Sequence, residues 1–574
     1  MRDEFKTSRL RVIVFTSGPL SAVNRVFFER LAGDPLVELC AIIVDAYERA
    51  KKPLPSRVLK GLREEGWGWL AFKLRSAVAA LVGKMVRRFF EWLHPPVGAD
   101  ESYETLQQKT GIPVYCVPDI HDEQSLALIK SLRPKLGVIV GSRILRDAVI
   151  TIPDHGTLNI HKRKVPDYRG GGPVGYWEVL AGEASIGVTI HYALSKVDSG
   201  AVLAESSIPI EECDTLESLQ IKADILGANL YHETIRKCAL GSWEGVPQDT
   251  SRGKTYRAPS EFRVWQLQKR LSQNAAKRMP GMEGCLSWPA RMRIMLQYGI
   301  LLPWLMRLRK RLKEDRRAPI CIFFYHLVTN RPVNHLCLSL EDFVRQMEFL
   351  RRYYKVLSLQ DAVRRLESGE TDEIAVALTF DDGYKDNTWA IEYLRYFGVP
   401  AAFFVSIGHI LDGSGFEHDT SKGFKEALPM GEADVGRLAA EGFVIGSHGV
   451  YHEDFGQLDP AKADEVLRES RELINRVTGR LPEHFSFPKG QRGSNITGEG
   501  FALANRHYRY VYSAYGGYNF PSRERRHFLR IANPSDVLSL AMIMDGYTGF
   551  RRCLSGDAVG LKTESLPPYC ENEI

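Results

Sequence analysis

Apolar residues fall along this chain in two alternating rhythms. Arg11-Val12-Ile13-Val14-Phe15 and residues 36–44, 113–117 and 136–140 are short runs rich in β-branched and aliphatic side chains. Residues 22–31 and 122–132, between them, carry apolar positions at helical spacing. Unbroken runs of this length suit strands buried on both faces, and their alternation with helices predicts a doubly wound, Rossmann-like α/β sheet of parallel strands. Ligands of such sheets bind beyond the carboxyl ends of the strands, which marks Gly141-Ser142, directly after the fourth run. A second alternation starts at Ile320-Cys321-Ile322-Phe323-Phe324-Tyr325-His326. It continues with strand-like residues 375–379, 401–405 and 444–446 and helical residues 340–353 and 389–397. No repeat relates the two halves, so two unrelated units are expected. Residues 1–250 form the first and 318–554 the second, with 251–317 a basic helical connector free of sheet pattern and 555–574 an irregular tail.

Two stretches break the rhythm. Residues 67–93 mix Trp67, Trp69, Phe72, Phe89, Phe90 and Trp92 with Lys73, Arg75, Lys84, Arg87 and Arg88, and form the core of a helical insertion at about 55–98. Residues 291–313 repeat the theme around Pro303-Trp304, with an apolar segment shorter than the roughly 20 residues needed to span a bilayer. Two readings apply to both: a helix packing its apolar face on its own domain, or a basic interfacial helix in peripheral contact with an anionic membrane.

Composition narrows the class. The 574 residues are 44% hydrophobic and 25% charged, as in a globular protein, and exceed what one core holds. A net charge of +6 over this length implies no nucleic-acid partner. Nine cysteines are scattered with no CxxC pair, and the charged N-terminus lacks a signal segment, so a reducing, cytoplasmic setting is expected, possible membrane contact being at its inner face.

Chemistry concentrates in two places. Asn159 and His161 are two apart, so on a strand both side chains leave the same face, and Asp198 sits in an Asp-Ser-Gly turn. An amine attacking a formamide-like carbon builds an oxyanion and a cationic nitrogen together. An amide and an imidazole can donate to the first, while a carboxylate orients the imidazole and takes the proton of the second. The ordered set Asn159-Ile160-His161, Pro166, Tyr168-Arg169-Gly170, Gly187-Val188-Thr189-Ile190-His191 and Asp198-Ser199-Gly200 resembles the folate-dependent formyltransferases over about residues 9–245. The resemblance implies 10-formyltetrahydrofolate as donor, Asn159, His161 and Asp198 as catalytic residues, and Gly141, Tyr168, Arg169 and Gly170 at the cofactor. Where that family has Ser-Leu-Leu-Pro, this chain has Arg163-Lys164-Val165-Pro166, and acceptor recognition is expected there. No pattern for the extra β-barrel domain of the tRNA-directed members follows, which argues against a tRNA acceptor.

Downstream, Asp381 and Asp382 end an apolar run, and His448 and His452 are four apart, on one face if they occupy a helical turn. Two imidazoles and one carboxylate leave open positions on a catalytic divalent ion, while the other carboxylate can take a proton from water. Phe380-Asp381-Asp382-Gly383 with Ser447-His448-Gly449-Val450-Tyr451-His452 resembles the polysaccharide deacetylases (NodB-like carbohydrate esterases) over about residues 319–540. The resemblance implies a distorted (β/α) barrel, Asp381 as base, Asp382, His448 and His452 as ligands of zinc or another divalent ion, and the Lys489 backbone N–H at the oxyanion. It also places Ser486 where the family keeps an arginine that tethers the base, leaving that tether lost. The nearest match to the motif supplying the acid is Leu529-Arg530-Ile531, preceded by His527.

Deacylation exposes an amine and formylation consumes one. The expected function is therefore two-step modification of a nucleotide- or lipid-linked amino sugar in surface-glycan synthesis, N-deacetylation followed by N-formylation. The alternatives are separate substrates, removal of formyl rather than acetyl, or a non-catalytic binding role for the second unit.

Overall fold

The computed structural model describes residues 9–48, 54–97, 102–278, 288–491, 494–523 and 526–549. The expected irregular tail at 555–574 and Cys285, Cys553 and Cys570 lie outside them. The chain divides into two compact units, residues 1–90 with 99–275 and residues 91–98 with 276–574.

The first unit is built on strands β1 (Leu10–Ser17), β2 (Val37–Asp45), β3 (Val114–Val117), β4 (Leu136–Val140), β5 (Thr157–His161), β6 (Tyr168–Gly170), β7 (Ser185–Tyr192), β8 (Val202–Pro209) and β9 (Lys254–Tyr256). Seven of them form one sheet in the order β3-β2-β1-β4-β5-β7-β8. The first five are parallel, whereas β7 and β8 are antiparallel. The doubly wound sheet therefore ends in an antiparallel flank, and this flank lays β7 beside β5. Ser21 and Asp122 cap the helices Ala22–Gly33 and Glu123–Ser131 by accepting from Asn24 N–H and Ser125 N–H. Ile13, Phe15, Ile43, Ile129 and Val149 fill the core on one side, each side chain contributing about 1.5–3 kcal/mol of burial. On the other, the helix Leu216–Ala239 fixes β5 through Tyr231, whose hydroxyl donates to Leu158 O at 2.8 Å. One expectation is corrected: β9 lies in the stretch expected to hold no sheet, and pairs in parallel with β6 beside the glycine-rich loop.

The second unit contains β10 (Ile320–Tyr325), β11 (Leu327–Val328), β12 (Cys337–Leu338), β13 (Lys355–Leu357), β14 (Ala375–Asp382), β15 (Ala402–Val405), β16 (Val444–Ser447), β17 (His484–Ser486), β18 (Tyr510–Ser513) and β19 (His527–Ala532). The ring β10-β19-β18-β17-β16-β15-β14 closes through the pairing of β14 with β10, giving a seven-stranded parallel barrel. β13 pairs with the first half of β14 and β15 with its second. Because all seven strands run the same way, the residues that end them gather at one mouth. Phe404, Tyr512 and Phe528 are fully buried among the barrel strands. The helix Trp288–Glu314 packs Tyr298, Leu302 and Leu305 on Tyr547, and the buried Asp545 carboxylate accepts from Tyr298 and Arg309.

Candidate active sites

In the first unit β5 presents Asn159 and His161 on one face, and across the antiparallel ladder His191 of β7 is the direct partner of Asn159. Asp198 closes the group from its turn, in a left-handed conformation (φ 50). Gly200 behind it must be glycine, since a Cβ there would lie 1.9 Å from Tyr192 O. Asp198 Oδ2 accepts from Gly170 N–H at 2.9 Å and Oδ1 faces Asn159 Nδ2 at 3.4 Å. A carbonyl can only accept, so the 2.8 Å contact of His161 Nε2 with Tyr168 O makes Nε2 the protonated nitrogen and turns the bare Nδ1 to Asp198, 3.5 Å away. By the same logic His191 Nδ1 donates to Tyr192 O, leaving Nε2 toward Asp198 at 3.5 Å and Asn159 Nδ2 at 3.3 Å. Burial pushes His161 below the usual imidazole range, with Asp198 pulling the other way. Burial would raise Asp198, but His191, His161 and the Gly170 N–H outweigh it and hold the carboxyl below its ordinary value. The result is an ionised carboxylate between two imidazoles, a group able to take up one proton and share it.

The remaining first-unit candidates surround this group through backbone more than side chain. The buried Tyr168 hydroxyl donates to Glu183, and the buried Arg169 guanidinium donates to the carbonyls of Pro166, Arg252 and Thr250. Tyr168 carbonyl and Gly170 N–H are what reach His161 and Asp198. Gly141 ends β4 with φ 64, and its carbonyl accepts from Ser17 Oγ at 2.9 Å. Arg163, expected to read the acceptor, is 2% exposed. It donates to the carbonyls of Pro173 (2.8 Å) and Gly171 (3.5 Å), so it is a strut under the glycine loop rather than a surface contact. Lys164 beside it is exposed. His191 was missed as a site residue, although its position in a run of alternating residues destined for a neighbouring strand was the available signal.

In the second unit Asp381 and Asp382 end β14, and the stretch after β16 carries both histidines. It is a loop with left-handed Gly449 (φ 79) and His452 (φ 59), not the helical turn that the four-residue spacing suggested. The loop nevertheless folds both imidazoles onto Asp382: His452 Nε2 lies 3.4 Å and His448 Nε2 3.6 Å from its Oδ1. His448 Nδ1 donates to Ser486 O at 2.7 Å, which fixes Nε2 as the bare nitrogen. Burial keeps His448 neutral, down to about 4, and lowers His452 as well. Asp382 is buried with neither oxygen accepting a hydrogen bond. Burial and the nearby Asp381 and Asp419 carboxylates push it well above the carboxylate range. Three ligand atoms within 4.8 Å of one another, all acceptors, fit a divalent cation.

Asp381 is tethered after all. Arg530 of β19 donates Nη1 to Asp381 Oδ1 (2.6 Å) and Nη2 to Oδ2 (2.8 Å), and also to Ser486 Oγ. The expected loss of the tether at Ser486 is thus corrected: a short serine on β17 leaves room for a guanidinium arriving from β19, sandwiched between Phe324 and Phe404 at 4.8 and 5.1 Å. Burial alone would raise Asp381, but Arg530 and His448 hold it below its usual value. His527 is turned away from this group, its Nε2 on Ser513 Oγ at 2.7 Å. Two other histidines face the centre. His326 directly follows β10, whose Tyr325 is in register with Phe380, so it stands beside Asp381. Burial lowers its pKa while Asp381 raises it. His418 Nε2 lies 3.7 Å from Asp382 Oδ2 and 2.9 Å from the Tyr384 hydroxyl. Lys489 has φ 59, and its Nζ is drawn aside to Asp454 at 3.1 Å.

Comparison with known proteins agrees with this division. Residues 101–235 match the formyl transferase family and residues 368–511 the polysaccharide deacetylase family. A methionyl-tRNA formyltransferase of Geobacillus sp. (strain WCH70) is 33% identical over 193 residues, 33% of this chain and 57% of that protein. One from Staphylococcus aureus (strain Newman) is 31% identical over 156 residues, 27% of this chain and 48% of that one. The chain thus spans about half the length of the curated relatives it matches. Among solved structures, a Streptococcus pyogenes deacetylase in complex with acetate is 19% identical, with 40% of this chain and 99% of that one covered and a TM-score of 0.34. The phosphoribosylglycinamide formyltransferase of Bacillus halodurans is 21% identical over 41% of this chain and 97% of that one, at a TM-score of 0.28. The chain thus carries a match to the formyl transferase family in its first half and one to the polysaccharide deacetylase family in its second.

Proposed function

We propose that the two domains act in sequence on one amino sugar: the deacetylase domain removes an N-acetyl group, and the formyl transferase domain formylates the exposed amine from 10-formyltetrahydrofolate. The observation that carries this reading is the acceptor-lined Asp198 pocket, suited to taking a proton from an amine, on the same chain as a centre suited to making one.

In the first step water adds to the amide carbonyl, its proton passing to Asp381, which Arg530 holds as a carboxylate. A divalent ion such as zinc, held by Asp382, His448 and His452, would polarise that carbonyl and acidify the water. The Lys489 N–H steadies the oxyanion, and His326, beside the base, relays the proton held by Asp381 to the leaving nitrogen as the C–N bond breaks and acetate departs. In the second step the amine attacks the formyl carbon, Asn159 donates to the oxyanion, and the carbon–N10 bond to the folate breaks. The proton of the amine passes to the Asp198–His161 pair, whose Nδ1 is placed to share it, and from there to N10 of the departing folate.

We assign residues 1–250 and 318–554 to the two catalytic domains, and a nucleotide- or lipid-linked sugar of a surface glycan as substrate. Folate is an intracellular cofactor, which supports a cytoplasmic reaction. Purified protein given a nucleotide-linked N-acetyl amino sugar and formyl-folate should yield the formamide by mass spectrometry. Asn159→Ala should accumulate the free amine and Asp381→Ala should leave substrate untouched; formamide from both variants would sink the coupling.

A further inference from the structure

Neither active centre accounts for the helix Trp67–Leu93. It has 27 residues and a length of about 40 Å. Its first turns pack: Phe72 meets Phe262 and Trp265 at 5.6 and 5.3 Å, and Lys73 pairs with Glu261. Beyond them, every residue from Leu74 to Phe89 whose side chain is described is exposed. Leu74, Val78, Leu81, Val82, Met85 and Phe89 are between 52 and 64% exposed. At 100° per residue these six fall within an arc of about 100°, and Trp67 and Trp92 extend the same stripe at its two ends. Lys73, Lys84 and Arg87 lie away from the stripe, and Arg88 and Arg75 sit at its two margins. Residues 67–90 contain no Asp or Glu.

A stripe of this size on an exposed helix marks an interaction surface. Its charge decides the partner. A second copy of the helix would bring positive flanks against positive flanks, with none of the opposite charges that flank helix–helix seams. Anionic headgroups match those flanks, and tryptophan suits the boundary between headgroup and acyl chain. No described helix is long and apolar enough to cross a membrane. We propose that Trp67–Leu93 lies flat on an anionic bilayer, with its apolar stripe in the lipid and its basic side chains among the headgroups. This surface does not depend on which sugar is the substrate.

The test is flotation of the full-length protein with vesicles of phosphatidylcholine, with and without phosphatidylglycerol. Binding should require phosphatidylglycerol and weaken with salt. Leu81→Glu with Met85→Glu should lower affinity about tenfold or more, while Ala80→Gln on the opposite side leaves it unchanged. Both substitutions are on exposed residues, so helicity by circular dichroism and deacetylation of a water-soluble substrate should be retained. Binding that survives the double substitution overturns the proposal. So does absence of vesicle binding together with a dimer that the double substitution dissociates, because a second copy would then cover the stripe.

Discussion

The two active centres meet the same demand with opposite materials. On the proposed mechanism each would stabilise an oxyanion on a carbonyl carbon and move a proton at a nitrogen. The formyl transferase centre does so with neutral and anionic protein groups at the junction of parallel and antiparallel strands, open enough that His161 and Asp198 keep about a tenth of their side-chain surface. The deacetylase centre sits inside a closed barrel, with Asp381 and Arg530 at 3 and 1% side-chain exposure. An ionised carboxylate so deeply buried persists only with a partner, and a bidentate guanidinium is that partner. The lesson is that on this reading the more buried centre is the more brittle: it would rely on a bound ion and on one arginine, whereas the open centre would spread the work over four side chains.

The largest effect should therefore come from the ligands. His448→Ala should lose bound divalent ion by elemental analysis and lower deacetylation by about 10⁴-fold, a metal-activated water being irreplaceable by its neighbours. Formylation of a free amino sugar by the same variant should be unchanged. A deacetylase rate within tenfold of the parent would break the comparison.

Next comes Arg530. Arg530→Leu leaves a buried carboxylate unpaired, at a cost of about 3–5 kcal/mol in stability, read from denaturant unfolding. Asp381 is depressed in the folded protein, so its charge-linked stability is present above its unfolded value and lost as pH falls through its folded value. Without the guanidinium the folded value rises, so the acid limb of the deacetylation profile should move to higher pH. Ser486→Arg placed in the Arg530→Leu background should restore both the limb and part of the rate, since each side chain reaches the same carboxylate. Rescue absent in both readouts would mean Arg530 does more than hold the base.

This pair also shows how far the sequence could be read. Runs of buried strand residues pointed to both sheets, and adjacent Asp381-Asp382 with His448 and His452 pointed to the cluster of Asp382, His448 and His452, because each of those signals is local. The Arg530 tether was not legible: it depends on β19 lying beside β10 and across from β17, a matter of barrel closure between residues 44 apart. His326 was hidden likewise, its role resting on the register of β10 with β14. The four-residue histidine spacing suggested a helix because spacing alone cannot report two left-handed residues in a loop. In the first unit, Arg163 pointed to acceptor recognition because an arginine is seldom 2% exposed unless carbonyls surround it.

On the open side, His191→Gln should lower formylation by about ten- to a hundredfold with deacetylation intact, since it removes one of two imidazoles facing Asp198 but leaves Asn159, His161 and the turn. The pH profile separates its roles. If the His191 lone pair shares the proton of the amine, the acid limb of kcat should shift in the variant; if it only fills space, the rate should fall at all pH values alike.

The smallest effect should belong to Arg163, and it discriminates most finely between scaffold and recognition. Arg163→Met keeps the length of the side chain but withdraws the donors from Pro173 O and Gly171 O, which should cost about 1–3 kcal/mol in stability. A loosened glycine loop should raise KM for formyl-folate and for the amine acceptor together, by a few-fold each. Lys164→Ala, on the exposed neighbour, should leave stability unchanged. Were Arg163 instead a reader of the acceptor, KM for the amine would rise alone while stability and the folate KM stayed put. The burial of its guanidinium against two loop carbonyls argues for the paired rise, because a buried side chain held on the loop backbone acts on both substrates through the loop.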